Sequence, residues 1–233
     1  MKLAGLLFLL FLPFQAVAQE SDFKPASFSD SPDSLQNLLV FPEEIDEDID
    51  IAIPCKAYLN RWGEIDRLSC FRTSEQFPQL EQAIQATQQS AKFEPALAEG
   101  SRTAVIFQFT VRFIKVGNLE SIEVFPHFGF NVESLGFNYT SPQVILPNRS
   151  SSLNGRYRIS DSRDMICPVG VKFILMVSVG VDGVSTEVSF GNTEYFPSSC
   201  ERDSRNYFGS LPFIPAFKDG KPVEANFVDF IGR

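Results

Sequence analysis

Lys92-Phe93-Glu94-Pro95-Ala96-Leu97-Ala98-Glu99-Gly100 closes a stretch in the first half of the chain, and Pro212-Phe213-Ile214-Pro215-Ala216-Phe217-Lys218-Asp219-Gly220 stands near its end. Sliding the sequence by 120 positions lays Phe93 on Phe213, Pro95 on Pro215, Ala96 on Ala216 and Gly100 on Gly220. The same shift lays Gly63 on Gly183, Ser69 on Ser189 and Phe107 on Phe227. Self-similarity at a fixed offset sets the architecture before any single element is assigned.

Outward from these two anchors, the hydrophobic periodicity supplies the elements. Ile51, Ile53, Cys55, Ala57 and Leu59 alternate with other residues, which predicts a strand with one buried face. Asn60-Arg61-Trp62-Gly63 reads as a turn, and residues 64–71 as the return strand with Leu68 and Cys70 on one face. Phe77-Pro78 opens a helix whose apolar stripe is Leu80, Ala83, Ile84, Thr87 and Ala91. Residues 104–116 read as a long strand, with Phe107, Phe109, Val111 and Phe113 on one side. The second copy repeats the order. Phe173, Leu175, Val177 and Val179 alternate into the turn Val181-Asp182-Gly183-Val184, Val188 and Phe190 return, and Phe196-Pro197 opens a helix. Residues 225–231 form a shorter last strand, in which Asp229 stands where the first copy has Phe109. The expected fold class is therefore α+β: two β-β-α-β modules, each a small antiparallel sheet with one helix packed on it, joined by a Phe-rich intervening segment.

The expected boundaries follow. Residues 1–18 read as a signal peptide: Lys2, an apolar run from Leu3 to Phe14, then the small-residue cleavage site Ala16-Val17-Ala18. An uncleaved anchor is the alternative, but spanning takes about 20 apolar residues and this run is shorter. Residues 19–40, rich in Ser, Asp and Pro, read as a flexible leader. Module 1 spans 41–117 and module 2 spans 161–233. The intervening segment 118–160 holds Phe125, Phe128, Phe130, Leu135, Phe137, Val144 and Ile145, too much apolar surface to leave in water, so it should pack on the modules.

Export makes disulfides the natural reading of four cysteines, Cys55, Cys70, Cys167 and Cys200. A turn centred on Trp62-Gly63 sets Cys55 opposite Cys70 on one face, and Cys167 is then left for Cys200. No Cys-x-x-Cys pair occurs and His127 is the only histidine, so neither a zinc site, a redox pair nor a Ser-His-Asp hydrolase is expected. The formal charge of −9 argues against nucleic acid and anionic membrane surfaces. No cofactor is expected.

The motifs in order are similar to those of TonB C-terminal domains. Phe41-Pro42-Glu43-Glu44, Trp62-Gly63-Glu64-Ile65, Phe93-Glu94-Pro95-Ala96 and Val111-Arg112-Phe113 match in the first copy. Asp182-Gly183, Phe213-Ile214-Pro215-Ala216 and Asp219-Gly220-Lys221-Pro222-Val223 match in the second. The resemblance implies a three-stranded sheet crossed by a helix, and binding of a partner segment by strand addition at the sheet edge. By that resemblance the last strand of module 1 is the edge, and Ile106, Gln108, Thr110 and Arg112 form its binding face. The family's histidine-bearing anchor and long Pro-rich spacer have no counterpart, which speaks against energy transduction.

The expected function is thus a non-catalytic, exported, periplasmic or secreted protein that binds a protein or peptide, such as an outer-membrane or other cell-envelope protein, with no membrane insertion after cleavage. Two alternatives stay open: a cell-envelope enzyme with a site between the modules, and a TonB-type transducer with an uncleaved anchor.

Overall fold

A computed structural model describes residues 22–71, 76–129, 132–146, 173–191 and 197–231. The signal-peptide reading of 1–18, Phe130, residues 147–172 with Cys167, and Phe196 lie outside the described residues.

In chain order the elements are β1 (Phe23–Lys24), β2 (Ser27–Phe28), α1 (Leu35–Leu38), β3 (Ile49–Leu59), β4 (Ile65–Cys70) and α2 (Pro78–Ala86). Next come β5 (Phe93–Glu94), β6 (Ala96–Ala98), β7 (Ser101–Val116), β8 (Leu119–Phe125), a 3-10 turn at Val132–Ser134, β9 (Tyr139–Thr140) and β10 (Gln143–Leu146). Last are β11 (Phe173–Val179), β12 (Ser185–Gly191), α3 (Ser198–Gly209), β13 (Phe213–Ile214), β14 (Ala216–Lys218), β15 (Lys221–Val223) and β16 (Ala225–Ile231).

The expected fold class does not hold. Strand outweighs helix, and the strands build four sheets rather than one per module. The largest has eight strands and joins the expected leader, both expected modules and the intervening segment. It takes β1 from the leader, β3, β4, β6 and β7 from the first module, β8 and β10 from the intervening segment, and β13 from the second module. The cause is the length of β7. Its 16 residues pair with β6 at their start and with β3 along most of their length, and on the side away from β3 with β10 and then β8. A strand this long offers more backbone groups than a three-stranded module can satisfy, and buried backbone groups must be paired. Sheet β12-β11-β16 stands apart, with β15-β14-β9 and β2-β5 as small additions.

Residues 22–40 of the expected leader lie against the sheets. β1 pairs with β6 and β2 with β5. The Gln143 amide donates to the Ala26 carbonyl and accepts from its N–H, both at 2.9 Å, standing in for a neighbouring strand. Phe28 meets Phe93, Phe107 and Phe109, and Ala26 and Leu35 are fully buried. The described part of the intervening segment packs as expected, through β8, β9 and β10.

The 120-residue offset survives in local geometry. Gly63 has φ +81° and Gly183 has φ +76°. A Cβ on Gly63 would fall 2.0 Å from the Phe93 carbonyl oxygen, and one on Gly183 would fall 2.2 Å from that of Phe213. In return, the N–H groups of Phe93 and Phe213 donate to the Gly63 and Gly183 carbonyls at 2.9 and 3.1 Å. Each hairpin tip is thus clamped to its Phe-x-Pro-Ala stretch, at a position only glycine fits.

Two cores result. One lies between the α2 side of the large sheet and the leader, filled by Phe107, Phe109, Phe113, Leu80 and Ile84. The other holds Phe173, Leu175, Val177, Phe208 and Phe227, and it includes Tyr58, Ile106 and Val144 from the back of the large sheet. The second sheet therefore packs on the first. No helix among the described residues is long and apolar enough to cross a membrane.

Candidate functional site

The strand expected to be a free edge is interior. β7 is paired on both sides, and the four residues assigned to its binding face are engaged within the chain. Ile106 is fully buried in the second core. Gln108 is buried and donates through Nε2 to the Val228 carbonyl at 2.6 Å, leaving Oε1 without a partner. The Thr110 hydroxyl lies 2.8 Å from the His127 carbonyl and 3.1 Å from that of Gly129, pinning that loop. Arg112 grips both oxygens of Asp50 at 2.7 Å and reaches Glu133 at 3.1 Å and Glu123 at 3.4 Å. Its bond with Asp50 raises the guanidinium and holds the Asp50 carboxyl below the usual range. The face read as a docking surface is the surface on which β16 and the loop after β8 already sit. Proline at Gln108 or Thr110 would break the core rather than test an interface.

Asp229, the break in the last strand's alternation, has its explanation at this junction. Lys56 Nζ bonds its two carboxylate oxygens at 2.7 and 2.8 Å, and both side chains are buried. Burial pushes the Asp229 carboxyl up, against the pull of Lys56. Phe71, Phe128 and Phe230 form a triad beside the pair, with centroids 5.1 to 5.5 Å apart, and Lys56 lies 5.3 Å from the Phe71 ring. These polar groups converge between the two sheets, but they are spent on one another and closed to solvent.

His127 is fully buried, and neither ring nitrogen has a hydrogen-bond partner. Its ring contacts are Phe125 and Tyr139. Burial lowers its pKa, opposed by the nearby Gly136 backbone, which lies outside hydrogen-bond geometry. The ring is closed to solvent and packed among aromatic rings.

With β7 enclosed, the surface left for an added strand is an outer strand. Four of these are six residues or longer: β4, β8, β12 and β16. β8 lies against α1 and carries Glu120 and Glu123, charges that discourage pairing. On β12, the Val188 carbonyl accepts from the Arg205 guanidinium. On β16, the Val228 carbonyl is held by Gln108, and Phe230 is wedged between Phe71 and Phe128.

β4 differs. Its register with β3 sets Cys55 opposite Cys70 and Ala57 opposite Leu68, as the sequence implies, up to a bulge near Leu59. The Phe71 N–H donates to the Pro54 carbonyl at 2.8 Å, which makes that pair a hydrogen-bonded one. Alternation then makes Cys55–Cys70 and Ala57–Leu68 non-bonded pairs, so the N–H and C=O of Leu68 and Cys70 point away from β3. Among the described residues that outer side meets only an isolated bridge of Glu64 with Lys92 just before β4, and no strand pairs with it at Leu68 or Cys70. The Cys55–Cys70 disulfide locks the strand, and it is the chemistry of an oxidising compartment, in keeping with export. Cys200 is also disulfide-bonded, but the Cys167 half of the expected second bridge lies outside the described residues.

Composition alone could not find β4, because edge status depends on which distant strands cover a neighbour. No family model matches the chain, and no curated protein or solved structure matches it either.

Proposed function

We propose that this chain is a non-catalytic, exported binding protein of the cell envelope, periplasmic in a host that has a periplasm. It holds an extended segment of a partner protein by strand addition at the outer side of β4. The observation that supports this reading is the outward pair of backbone donors and acceptors at Leu68 and Cys70, which lie past the Glu64–Lys92 bridge at the start of this outer strand and which no described strand pairs. Strand addition draws affinity from such groups, and a disulfide-locked edge lowers the ordering cost of binding. The buried, neutral His127 and the closed Lys56–Asp229 pair fit structural roles rather than chemistry. The resemblance to TonB C-terminal domains belongs to the same proposal, with the edge moved: β7 is paired on both sides, and β16, though outer, has its Val228 carbonyl taken by Gln108.

Photo-crosslinking in intact cells tests it. A crosslinker at Ser69, half-exposed on β4, should capture a discrete protein partner, and one at Glu187 on β12 should not. Equal capture at both positions, or none at Ser69, overturns the reading.

A further inference from the structure

The β3–β4 hairpin tip presents the chain's only tryptophan, and it is not buried. Trp62 is 53% exposed, with the Arg61 guanidinium 4.9 Å and that of Arg102 5.2 Å from its ring centre. A large apolar ring left in water between two cations has the composition of a binding hot spot. The tip is also rigid. The Trp62 N–H donates to Asn60 Oδ1 at 2.8 Å, and Gly63 is pressed against the Phe93 carbonyl.

Sheet register extends the group. Arg102 on β7 lies opposite Leu97 on β6, and Leu97 lies opposite Lys24 on β1. Directly opposed residues share a face, so Lys24, Leu97 and Arg102 stand side by side, with Trp62 and Arg61 continuing the row. Lys24, Arg61, Trp62 and Arg102 are exposed and Leu97 is half-buried. On a chain of formal charge −9, two guanidinium groups flank one aromatic ring with a third cation, Lys24, farther along the row, and none of the three forms an ion pair with a described residue.

We propose that Lys24, Arg61, Trp62 and Arg102 form a docking strip for an acidic peptide segment. This rests on the peptide-binding reading and gives its partner a chemistry. The strip starts at the turn from which β4 runs, so a bound segment that crosses this turn can present carboxylates to the guanidinium groups and lay an apolar side chain on the Trp62 ring. Carboxylates suit the two guanidinium forks, and the surrounding negative field disfavours broad anionic surfaces while leaving a short acidic segment able to reach a local cationic row.

Because Trp62 is the only tryptophan, its emission reports this site alone. The full exported protein is titrated at low salt with an eight-residue alternating Glu-Val peptide, its Lys-Val counterpart, and phosphatidylglycerol vesicles. The Glu-Val peptide should shift Trp62 emission saturably, and the Lys-Val peptide should leave it unchanged. Calorimetry on R61E/R102E, with an unchanged circular dichroism spectrum, should show at least about tenfold weaker binding of the Glu-Val peptide. No response to the Glu-Val peptide, an equal response to both peptides, or a response to vesicles alone overturns the strip. Two outcomes separate this claim from the last. Capture at Ser69 that R61E/R102E leaves intact removes the strip and keeps the edge. Glu-Val binding through the strip with no capture at Ser69 removes the edge and keeps the strip.

Discussion

At the scale of single residues, His127 has the clearest consequence. An unfolded histidine titrates near 6.5, and burial holds the folded one lower. Between those values the unfolded chain binds the proton and the folded chain does not. The stability associated with neutral His127 is therefore complete above about pH 6.5 and declines as pH falls toward the folded value, by at most about 1.4 kcal/mol per pH unit. H127F carries no titrating ring, so whatever its absolute stability, its urea midpoint should fall less than that of the natural chain between pH 7.5 and 5. Parallel falls would show that His127 is not the titrating group. Asp229 illustrates what a residue can and cannot reveal in sequence. Its interruption of an apolar alternation is visible from the chain, but its partner Lys56 is 173 positions away, and nothing local to either residue announces the pair.

Elements were legible where their signals are local. Alternation gave β3, β4, β7, β11 and β16 their faces, and the hairpin centre gave the Cys55–Cys70 register. Helix α2 buries Leu80 and Ile84 from the expected stripe. Pairing between distant elements was not legible. Nothing in residues 119–125 or 143–146 states that β8 and β10 will cover β7, and the Ser-, Asp- and Pro-rich leader gives no sign that Phe28 fills a core. The junction of β3 with β16 is testable as a pairing of elements. K56M should cost about 3–5 kcal/mol, because it leaves the Asp229 carboxylate buried without its cation, while K56M/D229L should recover most of that loss. Chemical denaturation of the two variants measures both. A double variant no more stable than K56M would mean that the two side chains do not act as a pair.

For the whole molecule, duplication and architecture separate. The two clamped hairpin tips repeat, as do Glu99 and Asp219, both with φ near +50° and each followed by a positive-φ glycine. Yet the chain does not close two independent modules. The first module's last strand was long enough to recruit other strands, and the second sheet docked on the face this left exposed. The strand first expected to be the edge, β7, is enclosed by the fold, and the proposal that the chain binds by strand addition therefore rests on β4. Residue-resolved amide hydrogen exchange, with the free protein and with its captured partner bound, tests that claim most directly. In the free protein the Leu68 and Cys70 amides should exchange faster than those of Arg67 and Ser69, which face β3. Binding should protect Leu68 and Cys70 selectively, with Val188 on β12 and Val228 on β16 unchanged. Leu68 and Cys70 amides already protected in the free protein, or unprotected in the complex, would contradict it.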